Sequence, residues 1–250
     1  MLKELKNLIA FLTIIPVGMD SDWLMDAANY MFLFPAIGAL IGLLAGLLAW
    51  VLFRVLPNLV VGILALGFIL LVTGLHHIDG LLDFGDGIMY QGTPEKKIEI
   101  MHDQQTGAGG LTLGLISMLT TAFCIAGLNR GMVIQSLIVS EVTAKLAMVL
   151  GAWIGRSAHT GMNTYFINAM HGRYRKLRLT AALIISLGIA VLLLRIVGFT
   201  TIIVGLATAL IMVGFSNRHF KGVTGDVMGA MSELARMVSL VAILAVIGWA

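Results

Sequence analysis

Charge is scarce in this chain. Only 12% of its 250 residues are Asp, Glu, Lys or Arg, while 59% are hydrophobic and the mean hydropathy is +0.98. Soluble domains carry about a quarter charged residues, so an ordinary water-soluble domain is excluded. Cysteine is nearly absent. Cys124 stands alone inside an apolar run, which excludes an intrachain disulfide and a thiolate metal site. The net charge of +3 is small and does not suggest nucleic-acid binding. No small-residue cleavage site follows the first apolar stretch, so it does not read as a signal peptide. There is no internal repeat and no soluble domain. Residues 1–250 read as a single integral-membrane domain.

What remains is apolar runs. A spanning helix needs about 20 mainly apolar residues. Seven segments qualify: 28–53, 57–75, 109–128, 132–154, 179–194, 198–215 and 232–249. The fifth and sixth are separated only by Arg195 to Val197. The expected fold is all-α, a polytopic membrane bundle of about seven transmembrane helices. The stretch from Met1 to Pro16 is too short to span and reads as an amphipathic helix lying at the interface.

The loop charges sort onto two faces. One holds Lys3, Lys6, Lys96, Lys97, Arg156, Arg173, Arg175, Lys176, Arg178, Arg218, Lys221 and Arg236, the other only Arg54, Arg130 and Arg195. The positive-inside rule makes the rich face cytoplasmic, with the N-terminus in and the C-terminus out of a cell membrane. All six histidines, and every acid but Glu141, fall toward the same face. A channel or transporter needs polar groups at both faces or at mid-depth. Reactive groups on one face point instead to a membrane-embedded enzyme fed from the cytoplasm.

The densest cluster is His76-His77-Ile78-Asp79-Gly80-Leu81-Leu82-Asp83-Phe84-Gly85-Asp86-Gly87. Asp79, Asp83 and Asp86 stand at i, i+4 and i+7, on one stripe of a helix. Crowded carboxylates suit a hard cation such as Mg²⁺, with Mn²⁺ as the alternative. The glycines between them would let a bulky ligand reach the backbone. His76 and His77 are candidate substrate contacts, with interfacial hydrogen bonding as the equal alternative.

Further on, Thr93 and Pro94 read as the cap and first position of a helix. Glu99 and Asp103 share its face, whereas Glu95, Lys96 and Lys97 read as solvated. Gly107 to Gly110 open the third span, and free amides at a helix N-terminus suit a phosphate. Thr224, Asp226 and Glu233 lead into the last span, with a Glu233–Arg236 ion pair as the plainer reading of Glu233. Glu141 and Lys145, i and i+4 in the fourth span, either pair structurally or line a substrate cavity. The basic run 173–178 reads as a topogenic cluster meeting anionic lipid.

These motifs, in this order, resemble the cobalamin synthase family, also called adenosylcobinamide-GDP ribazoletransferase. The resemblance rests on Phe11 to Val17, on Phe34-Pro35 with Gly38 and Gly42, and on His77 to Gly87. Glu99-Ile100-Met101 with Asp103 follows, then Gly107 and Gly110, then Thr224-Gly225-Asp226 with Gly229. Many members carry Ser and Arg where this chain has Gln104 and Gln105. The resemblance implies joining of adenosylcobinamide-GDP to α-ribazole or its 5′-phosphate with release of GMP, and a need for Mg²⁺. Asp79, Asp83, Asp86, Asp103 and Asp226 would then hold metal, with Asp83 or Asp86 taking the proton of the attacking hydroxyl. His76, His77, Glu99, Lys145, Gly107, Gly110, Thr224 and Glu233 would contact substrate. Two other classes compete. A CDP-alcohol phosphotransferase also spaces aspartates and glycines at a cytosolic helix end, and a cation transporter would use the aspartate stripe as its ion site. The oligomeric state is open, a homo-oligomer included.

Overall fold

The computed structural model describes residues 2–18 and 21–247. The described chain is all-α: α1 Leu2–Leu12, α2 Trp23–Asn29, α3 Phe34–Leu52, α4 Asn58–Val72, α5 His76–Met89, α6 Pro94–Met101, α7 Ala108–Gly127, α8 Val133–Ile154, α9 Met162–His171, α10 Arg175–Phe220 and α11 Gly225–Ile247.

Among the described residues five helices are long and apolar enough to cross a membrane, or six if α4 and α5, bent at 95°, count as one span. One of the five, α10, is not a single crossing. As a straight rod its 46 residues would run about 69 Å, roughly twice a bilayer core. Arg195 interrupts it with φ 52 and ψ −125, and just beyond, Gly198 packs on the backbone of Ala190. The chain therefore doubles back at Arg195. Counting its two legs separately takes six crossings to seven, as the apolar runs suggest. The first expected span, 28–53, is broken by a 3₁₀ turn at Met31–Leu33, and α3 starts with Pro35 in its first turn. The last begins at Gly225, seven residues before the expected 232. Its expected end at 248–249 lies outside the described residues.

Helix α8 is the hub. It packs against α3, α10 and α11 and is buried along most of its length. Gly38, Gly42 and Gly46 of α3 lie against the α8 backbone at Glu141, Leu137–Ile138 and Ile134. A small residue every fourth position lets two membrane helices approach closely, where packing rather than the hydrophobic effect drives association. Gly42→Leu is expected to disrupt this seam, with an overpacking cost of about 3 kcal/mol. Thermal unfolding in lipid nanodiscs should show it as a lowered transition, and an unchanged transition would disprove the seam.

Outside the bundle, Leu43, Leu47, Ile63, Leu111, Leu119, Ile184, Leu192, Ile203 and Leu210 are exposed. A belt of this kind is stable in acyl chains, where helices satisfy all backbone groups internally. At the N-terminus α1 buries Leu8 and Leu12 and leaves Lys3 and Lys6 exposed. That is the amphipathic character expected of an interfacial helix.

The turn from α4 to α5 sets the site. Gly74 N–H bonds Leu71 O (3.0 Å) and Leu75 N–H bonds Leu70 O (2.9 Å), a Schellman ending. Gly74 and Leu75 both have positive φ, 65° and 63°; glycine takes that conformation freely and leucine does not. The chain is thereby thrown sideways, and α5 lies across the N-terminal ends of α7 and α11. Gly80 meets the backbone of Asp226, and Gly85 meets Gly109 and Gly110.

Candidate active site

Helix α5 is amphipathic in the expected sense. Its inner face buries His77, Ile78, Leu81 and Phe84, whereas Asp79 is exposed and Asp83 and Asp86 are half-buried. The three acids share the outer stripe, and Asp226 joins them from the start of α11. Burial first, and then the charges of Asp79, Asp226 and Asp86, push the Asp83 carboxyl up to about 7. Since α5 lies across the starts of α7 and α11, these carboxylates sit at one end of the bundle.

The glycines serve a different purpose from the one read in the sequence. A side chain on Gly80 would strike Asp226, one on Gly85 would strike Gly110, and one on Gly87 would strike Met101. They admit neighbouring protein rather than ligand. The amides at the start of α7 are likewise occupied. Gly107 N–H donates to Asp86 Oδ2 (2.7 Å) and Gly110 N–H to Asp86 Oδ1 (2.8 Å). The anion at this helix N-terminus is the protein's own carboxylate. Asp86 thus fixes α5 to α7, and Gly107 and Gly110 are bonded to it.

A cavity of about 420 Å³ adjoins the acids. His76, His77, Asp79 and Asp226 line it, together with Thr73 and Asn163. Its remaining wall is Phe11, Trp23, Phe34 and Phe166 with methionines. Phe11 stacks on Trp23, Phe34 and Phe166 at centroid distances of 5.9, 5.9 and 5.1 Å. Sequence reading named the histidines and aspartates but missed this wall, which comes from α1, α2, α3 and α9. The loop after α8 is held against the entry of α11. Val223 N–H bonds Arg156 O (2.7 Å) and Ala158 N–H bonds Val223 O (3.2 Å), tying 156–158 to the entry of α11. His159 then meets His102 edge-on at 5.4 Å. The signal was present in the gathering of all histidines on one face, but nothing in it paired these two.

The other expected residues lie elsewhere. Thr224 is buried and caps α11, accepting from Val227 N–H (3.2 Å) and donating to Asp226 Oδ2 (3.3 Å). Thr93 caps α6 as expected. Glu99 is on the surface, paired with Lys96 (2.7 Å). Asp103 is exposed and accepts from Gln105 N–H (3.1 Å) in its own turn. Lys145 and Glu233 do not reach the cavity. Arg236 is clamped between Glu141 and Glu233, and Lys145 Nζ lies 3.6 Å from Glu141 and 2.9 Å from Ser232 Oγ. All four charged side chains are buried. Two anions and two cations cancel, so this is a neutral lock between α8 and α11.

Among the described residues no three His, Cys, Asp or Glu side chains converge into a metal cage. The donor set still fits a hard cation of one kind. Mg²⁺ is usually held by one or two carboxylates plus substrate phosphates rather than by an all-protein cage. The mutual repulsion around Asp83 is what such a cation would relieve.

A family model described as cobalamin-5-phosphate synthase matches residues 4–244. An adenosylcobinamide-GDP ribazoletransferase of Methanocella arvoryzae is 37% identical, over 96% of this chain and 94% of its own. Proteins of the same name from Methanococcoides burtonii (32% identical, 96% of this chain, 90% of its own) and Thermococcus kodakarensis (34%, 98% and 99%) also match. No solved structure matches. A match over nearly the whole length, with relatives above 30% identity, shows that the chain belongs to the cobalamin-5-phosphate synthase family.

Proposed function

We propose that this protein transfers the phospho-cobinamide group of adenosylcobinamide-GDP to α-ribazole or its 5′-phosphate, with release of GMP, as the names of its relatives imply. The observation that carries this reading is the placing of Asp79 and Asp226 in the wall of one cavity, with Asp83 beside them. A diphosphate brought to that face meets carboxylates at the helix ends. Asp79, Asp83 and Asp226 would hold Mg²⁺, or Mn²⁺ in its place, jointly with diphosphate oxygens. When bound, the cation neutralises charge on the diphosphate and its leaving group.

The chain's own groups supply the rest. Asp83, half-buried beside Asp79 and Asp226, is the carboxylate placed to accept a proton. It takes the proton of the ribazole hydroxyl as that oxygen bonds to the cobinamide-side phosphorus. The bond from that phosphorus to the bridging oxygen breaks, and the oxygen leaves with GMP. Asp86 holds α5 against α7, fixing Asp83 in place. Asp103, bonded within its own turn, takes no step. The apolar exterior suits bulky amphipathic corrinoids arriving from the bilayer. We place the site on the cytoplasmic face of the cell membrane, since the basic loops lie there.

Neither alternative is favoured. A transporter needs unpaired acids at mid-depth, whereas Glu141 and Glu233 are bound to Arg236. A CDP-alcohol phosphotransferase carries an Ala-Arg pair shortly after its first Asp-Gly, and none follows Asp79-Gly80 here. The test is turnover by purified protein in lipid with adenosylcobinamide-GDP, α-ribazole 5′-phosphate and Mg²⁺. GMP release that stops with EDTA supports the reading. No release from folded protein overturns it.

A further inference from the structure

We infer that the aromatic cavity is the subsite for the base of the incoming nucleoside, and that it selects an apolar benzimidazole-type base over a purine. This rests on the transferase reading above and names which substrate part the cavity takes.

Size decides first. A cavity of about 420 Å³ suits one nucleoside-sized group. A corrinoid of several times that mass must lie outside it. Two nucleosides then compete: the acceptor and the guanosine of the leaving group. The lining decides between them. Phe11, Trp23, Phe34 and Phe166, with Met31 and Met148, offer flat faces and polarisable sulfur but almost no hydrogen-bonding atoms. Guanine or adenine would bury ring nitrogens and exocyclic groups without partners among these rings and sulfurs, a loss that weakens binding. A benzimidazole has a hydrocarbon edge and stacks on rings without that loss.

The polar end of the cavity completes the match. His77 is buried, lines the cavity, and its Nδ1 has no hydrogen-bond partner among the described residues. Unpaired buried nitrogens are rare in folded proteins, and a ribose hydroxyl would supply the partner. Asp79 and Asp226 line the same end. A nucleoside with its base among the rings therefore presents its sugar to the acids, as attack on a phosphorus held there requires. The apolar wall is built largely by α1, α2 and α9, so the N-terminal helix is part of a binding site as well as an interfacial anchor.

The experiment is calorimetric titration of the full-length protein in lipid nanodiscs with α-ribazole and, separately, with the α-riboside of adenine and with GMP. The benzimidazole riboside is expected to bind at least about tenfold tighter than the adenine riboside. GMP should not compete with it. Phe166→Ala should weaken it by a similar factor. Met148→Gln, nearly isosteric but carrying a donor and an acceptor, should narrow or reverse the preference without emptying the cavity. Equal binding of both bases, GMP competing for the site, or a preference unmoved by Met148→Gln in folded protein would overturn the inference. If turnover with Mg²⁺ is normal while these results fail, the subsite assignment alone is wrong. If turnover with every base fails, the transferase reading falls instead.

Discussion

Asp83→Asn is expected to lower turnover by about 10³-fold, the usual loss when a positioned proton acceptor is removed, while the protein remains folded and inserted. The substitution keeps the size and shape of the side chain. It removes one negative charge from a place where Asp79, Asp86 and Asp226 already oppose it. Stability should therefore hold or rise slightly, because a like-charge repulsion is relieved. The contrast is Asp86→Asn. Its carboxylate is bonded to two amides of the α7 start, and an Asn has one acceptor oxygen for two donors. That variant should lose roughly 1–2 kcal/mol of stability from a weakened helix cap. Turnover and thermal unfolding, measured on both variants in nanodiscs, separate the two roles. Near-normal turnover of Asp83→Asn would remove Asp83 from the mechanism.

Arg236→Met is expected to cost about 3–5 kcal/mol of stability, the range for stripping one partner from a buried ion pair. Arg236 is fully buried and holds Glu141 and Glu233 together. Without it, among the described residues two carboxylates face only Lys145, and Glu233 Oε1 already lacks a hydrogen-bond partner there. In the core of a membrane bundle an uncompensated charge has no water to turn to. The double variant Glu233→Gln with Arg236→Met leaves the balanced Glu141–Lys145 pair and should recover much of the loss. Yields of folded protein and unfolding midpoints read both outcomes. If the single variant is as stable as the parent, the four charges are not a lock. If it folds normally but loses turnover, they belong to the site after all.

How far sequence carries the structure depends on the length over which each signal acts. Apolar runs act locally, so the membrane class and most spans were legible, including the reversal at Arg195. The aspartate stripe was legible too, since its spacing is a property of one helix. The 95° turn at Gly74–Leu75 was not, because an apolar run reads the same whether it continues straight or ends in a Schellman turn. The glycines of α5 were misread for a related reason. A missing side chain announces that something comes close, but only the neighbours show whether it is ligand or helix; Gly80 and Gly85 turned out to admit α11 and α7. Lys145 and Glu233 each had a near partner to hand, Glu141 and Arg236; spacing could not show that Arg236 also reaches Glu141, 95 positions away, and joins the two pairs into one buried cluster. The aromatic wall needed four elements brought together, and no periodicity encodes that. The entry of α11 was placed late because Asp226 made its first turn look too polar to span.

The central claim is that carboxylates on one membrane face drive attack at the cobinamide-side phosphorus. The measurement that tests it most directly uses adenosylcobinamide-GDP carrying a radioactive phosphorus next to cobinamide, turned over by the protein in lipid with α-ribazole 5′-phosphate and Mg²⁺. All of the label is expected in the corrinoid product, with one unlabelled GMP released per product formed and none released by Asp83→Asn. Label leaving in GDP would mean that the bond to cobinamide breaks instead, and the mechanism built on this face would be wrong.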